Sequence, residues 1–338
     1  MEPRATPLHG ASGERPSGRA YRERHGLAVC IEPHTTVEGI DTLERMRAVI
    51  DIGTNSVLML LASRGADGQV EVQDDLARVT RLGQGVAQSG RLQPEAIERT
   101  LAVLREYRAL AEQHGAELEA VATEGLRMAA DADAFLEPAA RVLGQPVRLI
   151  SGDEEAELSY RSVAQELGGD TPLHVLDIGG GSTELVAGRG LQVLDRRSHP
   201  VGSVRLTEQH IRSDPPTAAE VEAVAQAARR AFTRQLVAPL PELHGLAGTV
   251  TTLGAVLLLL PAYDRTRVDG SRWPVWQIEG LRDRLASQTL EERCRSPVLP
   301  PGRADVIVAG ATILVEALRH CGAQTLVIRD RGLRYALV

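Results

Sequence analysis

Residues 48–62 read AVIDIGTNSVLMLLA, and residues 173–188 read LHVLDIGGGSTELVAG. Each stretch starts with an apolar run that predicts a buried strand, continues through a turn that contains glycine, and returns as a second apolar strand. Asp-Ile-Gly occurs in both, and in both a serine follows the aspartate by five positions. The repeat therefore covers a whole strand–turn–strand unit. It predicts two similar domains with a ligand site in the cleft between them.

The pattern outside the repeats favours an α/β protein with two domains. We predict domain I over residues 47–151 and domain II over residues 152–338, and leave open whether the last helix returns to domain I. Residues 1–46 are rich in Arg, Pro, Gly and Ser and show no hydrophobic period, which predicts a poorly ordered extension. Met46 stands directly before the first strand, so we expect it to be the natural start.

Composition excludes several classes of protein. Hydrophobic residues make up 43% and charged residues 25% of the 338 residues, which is typical of a globular chain rather than a disordered one. The net charge of −7 argues against sequence-independent binding to DNA or to an acidic membrane. No apolar run approaches the roughly 20 residues that cross a bilayer. Cys30, Cys294 and Cys321 form no metal-binding spacing, which favours reduced thiols in the cytoplasm.

The two glycine-bearing turns suit phosphate oxygens, because glycine allows close approach and the backbone N–H groups of such a turn bind anions. Neither turn is a Walker A loop, since the chain has no lysine, and neither opens a helix as a dinucleotide-binding loop does. A plain hairpin turn would explain either one alone, but two in register favour phosphate binding. The candidate phosphate-binding residues are Gly53, Thr54, Asn55 and Ser56 in the first turn and Gly180, Gly181, Ser182 and Thr183 in the second.

Carboxylates lie at or beside these turns: Asp51, Asp177 and Glu184. Phosphate repels carboxylate unless a cation lies between them, and Mg²⁺ accepts oxygen ligands together with bound water. We therefore predict that these three residues bind Mg²⁺, with Mn²⁺ as an alternative.

Two further segments follow predicted strands. SGDEEA, residues 151–156, opens a helix, and its acidic residues either complement the helix dipole or supply a carboxylate that deprotonates an attacking water. Arg127 offers a fork for a phosphate or for a carboxylate partner.

Taken together, these residues resemble the exopolyphosphatase and guanosine pentaphosphate phosphatase family, within the actin, sugar-kinase and Hsp70 superfamily. Nine blocks match in family order from about residue 47 to residue 338. The blocks are AVIDIGTNSVLMLLA, RLGQGVAQSGRL, VATEGLRMAADADAFL, VRLISGDEEAELSYRSV, LHVLDIGGGSTELVAG, VGSVRLTE, LAGTVTTLGAV, RADVIVAGATILVEAL and DRGLRYALV. The resemblance implies two ribonuclease-H-like, actin-like ATPase domains. Each would have a mixed five-stranded sheet flanked by helices, with the active site in the cleft between them.

The resemblance also implies an activity: Mg²⁺-dependent hydrolysis of terminal phosphates from inorganic polyphosphate or from guanosine pentaphosphate (pppGpp). It places the family's catalytic glutamate at Glu155, its metal-site carboxylates at Asp177 and Glu184, and its arginine at Arg127. One departure is Glu124-Gly125, where the family usually has Ser and Ala; this extra carboxylate either alters phosphate contacts or faces away.

The sequence leaves several alternative functions open. Polyphosphate is favoured over pppGpp because the match has the extent of the short, two-domain members. A kinase of the same superfamily and a non-enzymatic sensor of (p)ppGpp or polyphosphate are less favoured readings. Family members often pair as homodimers, and these residues identify no interface. Candidate arginines for a track along a long polyanion are Arg78, Arg81, Arg205, Arg303 and Arg334.

Overall fold

The first repeat lies at the centre of a five-stranded mixed sheet in the computed structural model. The two strands of the repeat pair antiparallel, and the strand order across the sheet is β3-β2-β1-β4-β5. β4 and β5 run parallel to β1, as crossover connections through helices require. The strands are β1 (Arg47–Ile52), β2 (Ser56–Arg64), β3 (Val70–Val79), β4 (Glu117–Ala122) and β5 (Arg148–Leu149).

The second repeat lies at the centre of a six-stranded sheet with the order β10-β11-β9-β6-β7-β8. The family resemblance implies five strands, and the sixth is β10, a three-residue strand that pairs antiparallel with β11 at the edge. A segment this short is below the length at which alternation of apolar and polar residues signals a strand. The strands are β6 (Pro172–Ile178), β7 (Thr183–Arg189), β8 (Gln192–His199), β9 (Glu242–Leu246), β10 (Arg272–Pro274) and β11 (Thr325–Ile328).

Helices flank both sheets. Those of the first part are α1 (Val86–Ser89), α2 (Pro94–Gln113), α3 (Glu124–Arg127) and α4 (Asp133–Leu143), and α5 (Gly152–Leu167) joins the two parts. Those of the second part are α6 (Ser203–His210), α7 (Ala218–Ala231), α8 (Ala247–Leu257), α9 (Arg265–Val268), α10 (Val275–Ala286), α11 (Leu290–Cys294), α12 (Pro301–Ala304) and α13 (Ile307–Cys321). We call residues 45–151 lobe I and residues 152–332 lobe II.

The structure describes residues 45–66, 68–233 and 239–338, all within the unit Thr42–Val338. The predicted poorly ordered extension therefore lies outside the described residues except for its last two. Of these, Met46 packs against the core of lobe I, and its carbonyl accepts the N–H of Glu117 at 2.9 Å. Among the described helices, none has the length and apolar character needed to cross a membrane. Cys294 and Cys321 are free thiols, and Cys30 lies outside the described ranges.

Each lobe has its own apolar core, and the chain terminus links them. In lobe II the central helix is α13, which is apolar on nearly all sides and buried, as an enclosed helix must be. After β11 the chain forms a 3₁₀ helix, Leu333–Ala336, whose Tyr335 packs on Leu60 and Ala62 of lobe I. We propose the domain boundary at residues 151 and 152, with this terminal segment returning to lobe I.

The two repeats share one register. Asp51 of β1 lies opposite Leu58 of β2, and Asp177 of β6 lies opposite Glu184 of β7. In both turns the amide of the first glycine donates to the carbonyl of the serine, at 3.0 Å. Because opposed residues of an antiparallel pair point to the same face, lobe II presents two adjacent carboxylates where lobe I presents one.

Gly202→Ala tests how tightly the second turn is held. A Cβ at Gly202, just before α6, would lie 2.4 Å from the carbonyl oxygen of Gly180 and 2.6 Å from the carbonyl carbon of Gly181. Backbone cannot yield as a flexible side chain can, so we expect a loss of roughly 1–3 kcal/mol in the free energy of unfolding, measured with urea.

The matched control for that substitution is Gly280→Ala. Gly280 is exposed within α10, and a Cβ there would meet nothing within 4 Å. Alanine at this helix position should stabilise the protein by about 1 kcal/mol. Equal stability of the two variants would contradict the close contact at Gly202.

Candidate active site

The two turns meet at Thr54, which lies among glycines from both lobes. A Cβ on Gly83 or Gly125 of lobe I would lie 2.4 or 3.0 Å from the Thr54 side chain. A Cβ on Gly180 or Gly181 of lobe II would lie 3.0 or 2.9 Å from it. A Cβ would overlap Thr54 at Gly83 and would crowd it at the other three glycines, so the turns of the two repeats are in direct contact across the cleft.

Backbone donors are available at this contact. In the described part of the chain, the N–H groups of Thr54, Asn55, Gly180 and Gly181 donate to no protein acceptor. Backbone N–H groups require a partner when water is excluded, so a cluster of free ones in a closed cleft is suited to an anion. The turns therefore have the donors that the sequence predicts for phosphate.

Some of the predicted side-chain donors are engaged within the protein. The Thr183 hydroxyl donates to the carbonyl of Val201 at 2.6 Å. Asn55 donates from its amide to the carbonyl of Gly302 at 3.3 Å. Thr183 is fully buried, so this geometry gives its hydroxyl no access to a ligand.

Carboxylates line the lobe II side of the cleft. Asp177 accepts a hydrogen bond from Ser159 of α5 at 2.7 Å, and Glu184 accepts one from Ser198 of β8 at 2.7 Å. Sequence reasoning missed both serines. Ser159 follows Glu155 by one helical turn, and Ser198 lies opposite Glu184 across the β7–β8 pair. Helical spacing therefore carried a signal for Ser159, whereas Ser198 required the strand register.

Shielding from water shifts these carboxylates toward the neutral form. Burial raises the pKa of Asp51 to about 7 and that of Asp177 to about 6. Burial, reinforced by the charge of Asp177, raises the pKa of Glu184 to about 8. One oxygen of Asp51, Oδ1, is buried without a hydrogen-bond partner. The cleft thus concentrates acidic oxygens that burial shifts toward the neutral form, although the charges of Arg334 and Arg127 oppose the shift at Asp51 and Glu184.

This donor set fits a hard divalent cation such as Mg²⁺, which prefers oxygen ligands and keeps several of its waters. The unpartnered oxygen of Asp51 and the raised pKa values are the observations that indicate it. Among the described residues, no three acidic, His or Cys side chains converge closely enough to hold one ion directly. Water molecules would therefore complete the coordination.

Arg127 connects the candidate catalytic glutamate to the rest of the site. Its guanidinium donates to Glu155 at 2.9 Å, to the carbonyl of Ile150 at 2.8 Å, and to Glu124 at 2.9 Å. Glu155 lies in the first turn of α5 and is buried. Burial and the charge of Glu184 raise the pKa of Glu155, and the Arg127 guanidinium opposes that shift.

The structure does not bring the five candidate arginines of the polyanion track together on an open face. Arg78 is exposed on β3. The other four have protein partners: Arg81 with Asp305, Arg205 with Glu124, Arg303 with Thr252 and Arg334 with Asp75. The track stays a prediction.

Two mixed sheets flanked by helices, joined at a cleft where the two glycine-bearing turns meet, define an α/β protein of two lobes. The sequence pattern described as the Ppx/GppA phosphatase family matches residues 63–338, and the chain belongs to that family.

Relatives of known sequence or structure support the same family assignment. The chain is 40% identical over 287 residues to "Exopolyphosphatase 2" of Mycobacterium tuberculosis, covering 81% of this chain and 90% of that protein. It is 36% identical to the crystal structure of the Aquifex aeolicus member of the Ppx/GppA family, with a TM-score of 0.74, covering 87% of this chain and 96% of that one. A crystal structure of an exopolyphosphatase-like protein is 33% identical with a TM-score of 0.82, covering 87% of this chain and 97% of that one.

The substitution Glu184→Gln tests how far a buried negative charge in the cleft lowers the free energy of unfolding. The folded pKa of Glu184, about 8, lies above its ordinary value of 4.5. Its stabilising neutral form is therefore fully present below pH 4.5 and is lost as the pH rises through 8. In chelator, the variant should exceed wild type in free energy of unfolding by roughly 2–4 kcal/mol at pH 9, and the difference should narrow toward pH 5.

Two comparisons complete that experiment. Glu137→Gln changes an exposed carboxylate of α4 and should match wild type at each pH. Added Mg²⁺ should stabilise wild type more than Glu184→Gln, because a cation bound to the folded protein raises its stability. If Glu184→Gln were no more stable than wild type at pH 9, Glu184 would not carry a destabilising buried charge.

Proposed function

We propose that this protein is an exopolyphosphatase, which hydrolyses the terminal phosphate from inorganic polyphosphate. Family membership and the 40% identity to the mycobacterial exopolyphosphatase 2 support this reaction. The single structural observation that carries it is the meeting of two donor-rich turns beside Glu155, a buried carboxylate oriented by Arg127. That arrangement combines a binding site for the phosphate anion with a general base, and hydrolysis of a phosphoanhydride needs both.

In this proposal the turns hold the terminal phosphoryl group. The free N–H groups of Thr54, Asn55, Gly180 and Gly181 are the donors, and they come from opposite lobes. Closure of the cleft therefore fixes the phosphoryl group in one position and excludes bulk water. Positioning and electrostatics of this kind account for most of the catalysis of phosphoryl transfer.

Glu155 acts on the attacking water. Its carboxylate accepts a proton from the water as the water oxygen bonds to the terminal phosphorus. The bridging P–O bond breaks, and the products are orthophosphate and a chain one unit shorter. Arg127 holds the carboxylate in place through its 2.9 Å hydrogen bond and also donates to the carbonyl of Ile150, so the base is fixed at the start of α5.

We propose that Asp177, Glu184 and Asp51 together form the Mg²⁺ site, with Mn²⁺ as an alternative ion, and that some of them would contact the ion through its bound waters. When bound, the cation would neutralise charge on the phosphates. Ser159 and Ser198 fix the orientations of Asp177 and Glu184 by donating hydrogen bonds to them. Such supporting partners orient metal-binding carboxylates in many proteins.

Substrate choice between polyphosphate and pppGpp is decided by what lies beyond the terminal phosphate. Both substrates end in the same phosphoanhydride, so the turns and Glu155 serve either one. We propose polyphosphate as the main substrate on the strength of the mycobacterial relative. A cytoplasmic location and a homodimer remain predictions.

Glu155→Gln should lower kcat for phosphate release from polyphosphate by roughly 10²–10⁴, because glutamine cannot accept the proton of water. The neighbouring Glu154→Gln is the matched control. Glu154 pairs with Arg148 near the surface and not with Arg127, so its kcat should stay near that of wild type. Equal loss in the two variants, or none in Glu155→Gln, would refute the assignment.

Purified protein should release orthophosphate from long polyphosphate in the presence of Mg²⁺, faster than from pppGpp at equal concentrations of chain ends. Chelation should abolish release, and added Mg²⁺ should restore it. Measuring orthophosphate with no acceptor present separates this reaction from that of a kinase. Binding of polyphosphate without turnover would indicate a sensor instead.

A further inference from the structure

Glu124 is held by arginines from both lobes. Its Oε2 accepts hydrogen bonds from the Nη2 of Arg127 at 2.9 Å and from the Nε of the same residue at 3.2 Å. Its Oε1 accepts one from the Nη2 of Arg205, in α6 of lobe II, at 2.8 Å. Both carboxylate oxygens are thus bound by guanidinium groups, as the oxygens of a phosphate group would be.

The same side chain lies directly on the second turn. A Cβ built on Gly181 would lie 2.8 Å from the Cγ of Glu124, so the two are in contact. The side chains are largely enclosed, with exposed fractions of 16% for Glu124, 19% for Arg127 and 11% for Arg205. Glu124 therefore lies where two arginines and a turn with free N–H groups converge.

We propose that Glu124 is an internal competitor for phosphate, which fills the anion site formed by Arg127, Arg205 and the second turn until a phosphate group displaces it. The inference deepens the proposed function and rests on it for the assignment of the turn to phosphate. A single orthophosphate ion has to displace the carboxylate with few contacts of its own. A polyphosphate chain brings many charges, so Glu124 weakens binding of the orthophosphate product more than that of the chain.

The ion pairs of Glu124 are not the only ones that serve Arg127 and the contact between the lobes. Arg127 has a second carboxylate partner in Glu155 and gains no neutralisation that only Glu124 could supply. The lobes are also joined by Arg81 and Asp305, an ion pair that contacts neither Arg127 nor Arg205. If Glu124 served only to keep the lobes together, removing either pair would have the same effect on the cleft. Breaking the pair of Arg81 and Asp305 therefore provides the control.

The test measures binding of inorganic phosphate by titration calorimetry, in chelator and without turnover. Glu124→Gln keeps the shape of the side chain and removes its charge, and Glu124→Ala removes the carboxylate altogether. The Kd of orthophosphate should fall by about tenfold in each variant, since a charged competitor within hydrogen-bond distance of two arginines is lost. Asp305→Asn, which loosens the lobes elsewhere, should bind orthophosphate with the wild-type Kd.

A double-mutant cycle with Arg205→Gln locates the effect. With Arg205 absent, the Glu124→Gln substitution should tighten phosphate binding by no more than about threefold. One of the two arginines for which Glu124 and phosphate compete has then been removed. The gain should also appear in turnover, as stronger inhibition by orthophosphate with no increase in kcat. Wild-type affinity in both Glu124 variants would overturn the proposal, and so would equal tightening in Asp305→Asn.

Failure of the two proposals can be told apart. If wild type releases no phosphate from polyphosphate, the proposed function fails, while the orthophosphate titration still decides the role of Glu124. If turnover occurs and the Glu124 variants bind orthophosphate as wild type does, the proposed function stands and the internal competitor is refuted.

Discussion

The contact between the two glycine-bearing turns is the constraint on which the rest of the structure depends. Thr54 approaches Gly180 and Gly181 so closely that a Cβ on either would lie only 2.9–3.0 Å from its side chain. This approach sets the distance between the lobes at the cleft. It also places the free N–H groups of both turns at one point, where neither lobe alone could surround an anion. Glu124 also lies at this contact, against Gly181.

Closure has an electrostatic consequence. It shields Asp51, Asp177 and Glu184 from water, and the pKa of each rises because the ionised form loses hydration. Without a cation the ionised carboxylates therefore destabilise the closed cleft at high pH, and the proposed Mg²⁺ would offset this cost. The acidic cluster thus lowers the stability of the folded protein. Residues placed for binding often have this effect, and shifted pKa values are common at functional sites.

Arg127 links this acidic side of the cleft to the phosphate side. It contacts Glu155 through one nitrogen and Glu124 through others, so the candidate base and the carboxylate on the second turn share one guanidinium. Replacement of Glu124 by a phosphate oxygen would keep Arg127 saturated with hydrogen bonds. The planar fork of arginine suits such an exchange better than the point charge of lysine, a residue that this chain lacks altogether.

The sequence by itself determined the two lobes, the turns and the carboxylates at the strand ends, because strand periodicity, glycine turns and the Asp-Ile-Gly repeat are local signals. The position of Ser159 could also be inferred from helical spacing, because it follows Glu155 by one turn. Only the tertiary structure decided that Ser198 lies beside Glu184, that Thr183 directs its hydroxyl to Val201, that the edge strand β10 forms, and that Glu124 faces Arg205. These are contacts between residues distant in the chain. Their geometry follows from strand register and from how closely the lobes approach, neither of which the spacing of residues records.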